Sequence, residues 1–283
     1  MTHALSLAAV NGTSSVAGAA PHADTHVTIR GLSKAFAGQP LYTALDLDLP
    51  RGKIVSTFGP NGCGKSTLMN MIAGLLPMDK GEILFDGKTL AQTKIGYVFQ
   101  NYRDALFPWM SARANIAYPL VRQGMSKADV KARVDELTQM FDIRFDLNRY
   151  PYELSGGQQQ TVCIMRALAP RPEVMFLDEP FSALDFEMTL FIRDKLQEVQ
   201  LATGVTMLIV SHDLEDAVFL ADEILLLTRR PTRVAEIVRF DLPRPRGAEI
   251  MSHPEFVRVK AHTLEVFKLS LIHISEPTRR RGI

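Results

Sequence analysis

The segment "GPNGCGKST" (59–67) follows the apolar run "IVSTF" and opens a helical pattern, "KSTLMNMIAGLL". It fits G-x-x-x-x-G-K-[ST] in the strand-then-helix setting where that pattern binds phosphate. Gly59, Gly62 and Gly64 let backbone N–H groups converge on phosphate oxygens, and the helix N-terminus adds a favourable field. Pro60, Asn61 and Cys63 complete the loop, Cys63 as a spacer with no chemistry assigned to its thiol. Lys65 would neutralise the β- and γ-phosphates of a nucleoside triphosphate, and the Ser66 hydroxyl, next to Thr67, would ligate Mg²⁺. A second run, "VMFLDE" (174–179), supplies carboxylates. Its apolar residues make a buried parallel strand, whose C-terminal end, with Asp178 and Glu179, faces the crevice where such sheets bind ligands. Asp178 would hold Mg²⁺ through water, and Glu179 is placed to take a proton from an attacking water. Either segment alone could be structural. In this order they read as a nucleoside triphosphatase.

The elements that must position these groups follow from the rest of the pattern. At 283 residues the chain can bury one sizeable core with two lobes. Lys plus Arg (32) nearly cancels Asp plus Glu (31), which argues against a nucleic-acid partner. Cys63 and Cys163 match no metal-ligand spacing and are too few for a disulfide scaffold, so reduced thiols are expected. No apolar run has the length of a membrane span. Residues 1–25 read as a disordered Ala/Ser/Gly tail, because "ALSLAAV" is short and lacks a preceding Lys or Arg.

Short β-rich runs fall at 26–31, 41–48 and 54–58, and again at 173–179, 205–211, 223–228 and 234–242. Between them, 101–170 is helical in pattern, including "SKADVKARVDELTQMFD" (126–142) with Ser126 as its N-cap. An α/β lobe (26–100 and 171–242) with a helical insertion (101–170) and a C-terminal helix (252–268) is the expected architecture. The last stretch, "LSLIHISEPTR" (269–279), resembles translated sequencing-library adaptor, so residues 269–283 are assigned no function.

The insertion carries a second glycine-rich segment, "LSGGQQQ" (154–160). With "YVFQ" ending in Gln100, "SALD" (182–185) after the paired acids, and "SHD" containing His212, it makes a motif set in one order. Over residues 26–268 the chain therefore resembles the ATP-binding subunits of ABC transporters. That resemblance implies a P-loop NTPase (RecA-like) lobe with an N-terminal antiparallel β subdomain and an α-helical signature subdomain. It also explains the second loop. Ser155, Gly156, Gly157 and Gln158, at a helix start, would offer N–H donors to the ATP held by another copy, so two head-to-tail copies sandwich two ATP molecules. By the same resemblance Gln100 would complete the Mg²⁺ shell, His212 would hold the γ-phosphate and orient Glu179, and Ser182 and Asp185 would line the seam between copies. Phe36 would stack on adenine. Thr161 stands where many relatives have a basic residue, and a weakened surface contact is expected there; Arg166 is in its family place.

One motif set without a long heptad arm or zinc cysteines argues against the translation-factor and DNA-repair branches of that family. After Gln100, "NYRDALFPWM" (101–110) places Leu106, Phe107 and Trp109 on a loop that would receive a helix from a transmembrane permease. The "PW" pair, with "LPRPR" (242–246), looks most like the nitrate/sulfonate/taurine importers, which work with a solute-binding protein. The expected location is peripheral, on the cytoplasmic face of the bacterial inner membrane. An exporter, another importer class or a non-transport ABC ATPase is the alternative.

Overall fold

The computed structural model describes residues 24–272. The expected N-terminal tail lies outside this range but for its last two residues, as does the adaptor-like segment beyond Ile272. The chain opens with a hairpin, β1 (Thr25–Phe36) and β2 (Gln39–Pro50), and then β3 (Ile54–Phe58) leads through the glycine loop into α1 (Lys65–Ile72). β4 (Lys80–Phe85) and β5 (Ile95–Val98) follow. The insertion holds α2 (Tyr102–Ala105), α3 (Ala112–Arg122), α4 (Lys127–Met140) and α5 (Gly156–Leu168). The chain then alternates β6 (Val174–Asp178), α6 (Phe186–Thr203), β7 (Thr206–Val210), α7 (Leu214–Leu220) and β8 (Glu223–Leu227). β9 (Val234–Arg239) and α8 (Pro254–Ile272) complete it, α8 running past the expected boundary at 268.

Two sheets form. β2-β1-β4 is antiparallel, and β5-β6-β7-β3-β8-β9 is parallel except for its last pair. β3, β6, β7 and β8 are buried at every position, as the unbroken apolar runs require of strands covered on both faces. One core cluster joins the face carrying α3 to α8, and the other joins α1 to the antiparallel sheet. Because β6, β7 and β3 are neighbours and parallel, the loops leaving their C-terminal ends emerge together. Ser126 caps α4 as expected, its hydroxyl accepting the Asp129 N–H. Among the described residues no helix is long and apolar enough to cross a membrane.

Candidate functional site

The phosphate loop is held open from outside. Arg230 Nε donates to the Gly62 carbonyl at 2.8 Å, the Thr232 hydroxyl to that of Cys63, and the Tyr42 hydroxyl to that of Gly64 at 3.1 Å. In a trans peptide the next N–H points opposite to the carbonyl, so Thr232 and Tyr42 turn the Gly64 and Lys65 N–H groups the other way, while the Cys63 N–H, opposite the carbonyl that Arg230 holds, donates to the Pro60 carbonyl at 3.2 Å. Sequence reasoning missed all three, since none lies in a motif. Gly64 sits at φ +106°, a conformation that side-chain-bearing residues rarely adopt. The Lys65 ammonium is buried and donates to the carbonyls of Gly59 (2.9 Å) and Pro60 (3.2 Å) of its own loop. The Cys63 thiol is buried and its pKa raised by burial, in keeping with a spacer role.

The strand after this loop's partner brings the acids in. Ser66 Oγ donates to Asp178 Oδ1 at 2.9 Å. Burial holds the Asp178 carboxyl above its ordinary pKa, with the Ser66 hydrogen bond and the Lys65 charge opposing. A desolvated carboxylate beside a hydroxyl is an oxygen donor set that suits Mg²⁺, so these residues fit the ion that the sequence implies. Glu179 has φ +47° and is pinned by its N–H to the Val210 carbonyl and by its own carbonyl to the Ser182 N–H. Its Oε2 accepts from Gln100 Nε2 at 2.8 Å and lies 3.4 Å from His212 Nδ1. Three residues from three segments thus meet on one oxygen: Gln100 after β5, Glu179 after β6 and His212 after β7.

The signature segment is a helix cap. Ser155 Oγ accepts the Gln158 N–H at 3.3 Å, and Gln158 Oε1 accepts the Ser155 N–H at 3.0 Å. The Ser155 N–H and the Gln158 side chain are therefore used inside the cap, and the N–H groups of Gly156 and Gly157, at the start of α5, are the ones left for a ligand. A Cβ on Gly156 would lie 2.7 Å from the Tyr102 hydroxyl, whose ring is buried beneath the helix start. Asp185 Oδ1 caps α6 by accepting the Met188 N–H at 2.8 Å. Phe36 ends β1 about half exposed, with the Lys34 ammonium 5.4 Å from its ring centre.

Two expectations are corrected. Leu106 is 2 % exposed and belongs to the core, so it anchors the loop and offers nothing to a partner. Thr161 is not a surface position; it is buried, and its hydroxyl donates back to the Gly157 carbonyl at 2.8 Å. Pro108 and Trp109 are presented outward, Trp109 at 72 % exposure, and the half-buried Phe107 lies between Trp109 and Tyr118 in tilted contacts with ring centres 5.6 and 4.8 Å away. Asn115, which sequence reasoning passed over, is fully buried and bonds both the N–H and the carbonyl of Phe107, with the carbonyl of Met110. Arg166 of α5 donates to the Ala105 carbonyl at 2.7 Å and lies over the Phe107 ring. The signature helix and this loop are thereby tied together.

Residues 42–182 match the sequence profile of a family described as ABC transporter. The aliphatic sulfonates import ATP-binding protein SsuB of Bacillus licheniformis is 36 % identical over 86 % of this chain and 94 % of its own length. The chain belongs to the ABC transporter family. The sulfate/thiosulfate import ATP-binding proteins CysA of Caulobacter vibrioides and of Neisseria meningitidis serogroup A are similar too, 43 % and 40 % identical over 71 % of this chain. The chain spans about three fifths of those two relatives, 61 % and 58 % of their lengths. Among solved structures, the dimeric ATP-binding cassette MJ0796, in a post-hydrolysis state bound to ADP and Pi, superimposes with a TM-score of 0.68. It is 30 % identical, and the match covers 77 % of this chain and all of that one. The two-sheet fold with its helical insertion is that of the ABC ATPase cassettes.

Proposed function

We propose that this ABC family member hydrolyses ATP between two head-to-tail copies of itself and uses the closure to drive import of a small oxyanion or organosulfur solute. The convergence of Gln100 and His212 on Glu179 Oε2, beside the Ser66–Asp178 pair, carries the hydrolytic part. Glu179 is oriented by two neighbours and held by a constrained backbone, so its carboxylate can accept a proton from a water in line with the γ-phosphate. Lys65 and the loop N–H groups bind the β- and γ-phosphates, and Phe36 offers an adenine platform. Ser66, Asp178 and Gln100 would hold Mg²⁺, which supplies charge neutralisation across the phosphates. The Gly156 and Gly157 N–H groups and the start of α5 form half of a second phosphate site, for the ATP of the opposite copy.

The solute class rests on likeness to proteins named for sulfate/thiosulfate and aliphatic sulfonate import, and nitrate or taurine remain members of the same proposal. Phe107 and Trp109 would receive the permease at the cytoplasmic face of the inner membrane, with a solute-binding protein upstream. Glu179→Gln tests the hydrolytic assignment. ATP binding should persist while turnover falls roughly 10²–10⁴-fold, the scale of a lost general base. Turnover near wild type would remove Glu179 from that role.

A further inference from the structure

At the far end of the parallel sheet from these groups, three side chains that no motif contains come together. His26 enters β1 with its imidazole 4 % exposed, Asp86 follows β4, and Glu173 immediately precedes β6. One ligand atom from each lies within 4.8 Å of the others. Each residue also has an atom engaged by a neighbour. His26 Nδ1 pairs with Thr206 Oγ1 at 2.7 Å, one Asp86 oxygen is held by Arg51, and Glu173 Oε1 accepts the Lys94 N–H at 3.2 Å. His26 Nε2 is buried with no hydrogen-bond partner. A buried orphan ring nitrogen carries a desolvation cost that a structure normally avoids.

We propose that His26, Asp86 and Glu173 form a divalent-metal site whose donor set, one imidazole nitrogen and two carboxylate oxygens, suits Zn²⁺. The Thr206 contact fixes the ring's orientation, as an outer hydrogen bond does for metal-binding imidazoles, and the tautomer that donates from Nδ1 leaves Nε2 bare to ligate. Arg51 bridges Asp86 to Asp24 at the rim, where it orients the Asp86 carboxylate. Zinc ligands about 2.0–2.2 Å from the ion stand roughly 3.5 Å apart, so three ligand atoms within 4.8 Å of one another need only a modest approach to close the set. A bound ion would join the antiparallel sheet, through His26 and Asp86, to the foot of β6, the strand that ends in Asp178. It would fix the angle between the sheets that carry Phe36 and the catalytic acids.

The test uses the full chain without nucleotide or Mg²⁺, titrated with Zn²⁺ against a chromophoric chelator. The wild type should take up one Zn²⁺ per chain with a rise in melting temperature. Glu173→Gln and Asp86→Asn, conservative changes at partly exposed positions, should each weaken uptake tenfold or more while leaving the metal-free melting temperature within a few degrees. His26→Gln should abolish it, and Asp178→Asn should leave it unchanged. No stoichiometric uptake by the wild type, or uptake by the Glu173 and Asp86 variants equal to that of the wild type, overturns the site.

Discussion

Removal of the Trp109 side chain separates a docking surface from a structural anchor. Trp109 is 72 % exposed, so little more than a quarter of its surface contacts the rest of the chain. For a side chain of about 250 Å² that contact is roughly 70 Å². At about 25 cal/mol/Å² its loss costs at most about 2 kcal/mol. In a domain of this size such a loss lowers Tm by about 4–8 °C. Phe107 keeps its Tyr118 and Arg166 contacts and its Asn115 backbone bonds, so the loop survives. An aromatic anchor in a desolvated interface is worth about 2 kcal/mol or more, at least a thirtyfold loss of affinity. Trp109→Ala should therefore retain most basal ATPase, melt within this margin and fail to co-purify with its permease. Melting temperature, ATPase and permease capture are measured on one preparation. Normal capture with a larger fall in Tm would show that the residue holds the fold and would refute the docking argument.

Two further perturbations probe the site from inside. Gly156→Ala places a Cβ 2.7 Å from the buried Tyr102 hydroxyl and should cost about 1–3 kcal/mol by overpacking. Tyr102→Phe removes a hydroxyl with no hydrogen-bond partner and should be near neutral alone, while restoring stability in the double variant; strict additivity in urea unfolding would count against the contact. Asp178→Asn should abolish Mg²⁺-dependent turnover while keeping or raising Tm at neutral pH. Burial raises the Asp178 pKa, so the ionised form opposes folding above that pKa and a neutral amide relieves the opposition. A marked fall in Tm would show that the charge is structurally compensated.

Much of the fold was legible because local chemistry and global packing agree. The four-residue apolar cores of β6, β7 and β8 admit one reading, and the Ser126 cap fixes the start of α4. β4 and β5 were not marked as strands. β4 is mostly exposed or half buried, and β5 is four residues with a glycine, so neither shows the apolar run that pairing with a neighbour supplies. At the site, motifs gave the groups proposed to touch ligand but not those that hold them. Tyr42, Arg230 and Thr232 act on backbone carbonyls some 20 to 170 residues away in sequence, and no local period encodes such a contact. Leu106 and Thr161 were misplaced for a related reason: burial of a single position in a loop or on a helix depends on what packs over it.

The central claim is that each copy supplies half of two ATP sites, and a mixing experiment tests it most directly. Both partners carry Glu179→Gln to prevent turnover. One also carries Lys65→Ala, which disables its phosphate loop, and the other Ser155→Arg, which disables its signature cap. A mixed pair has one composite site with both defects and one intact site. With Mg-ATP, each variant alone should stay single, and the tagged Lys65 variant should capture the Ser155 variant. Capture in the mixture no greater than self-capture of either variant would contradict the shared-site geometry.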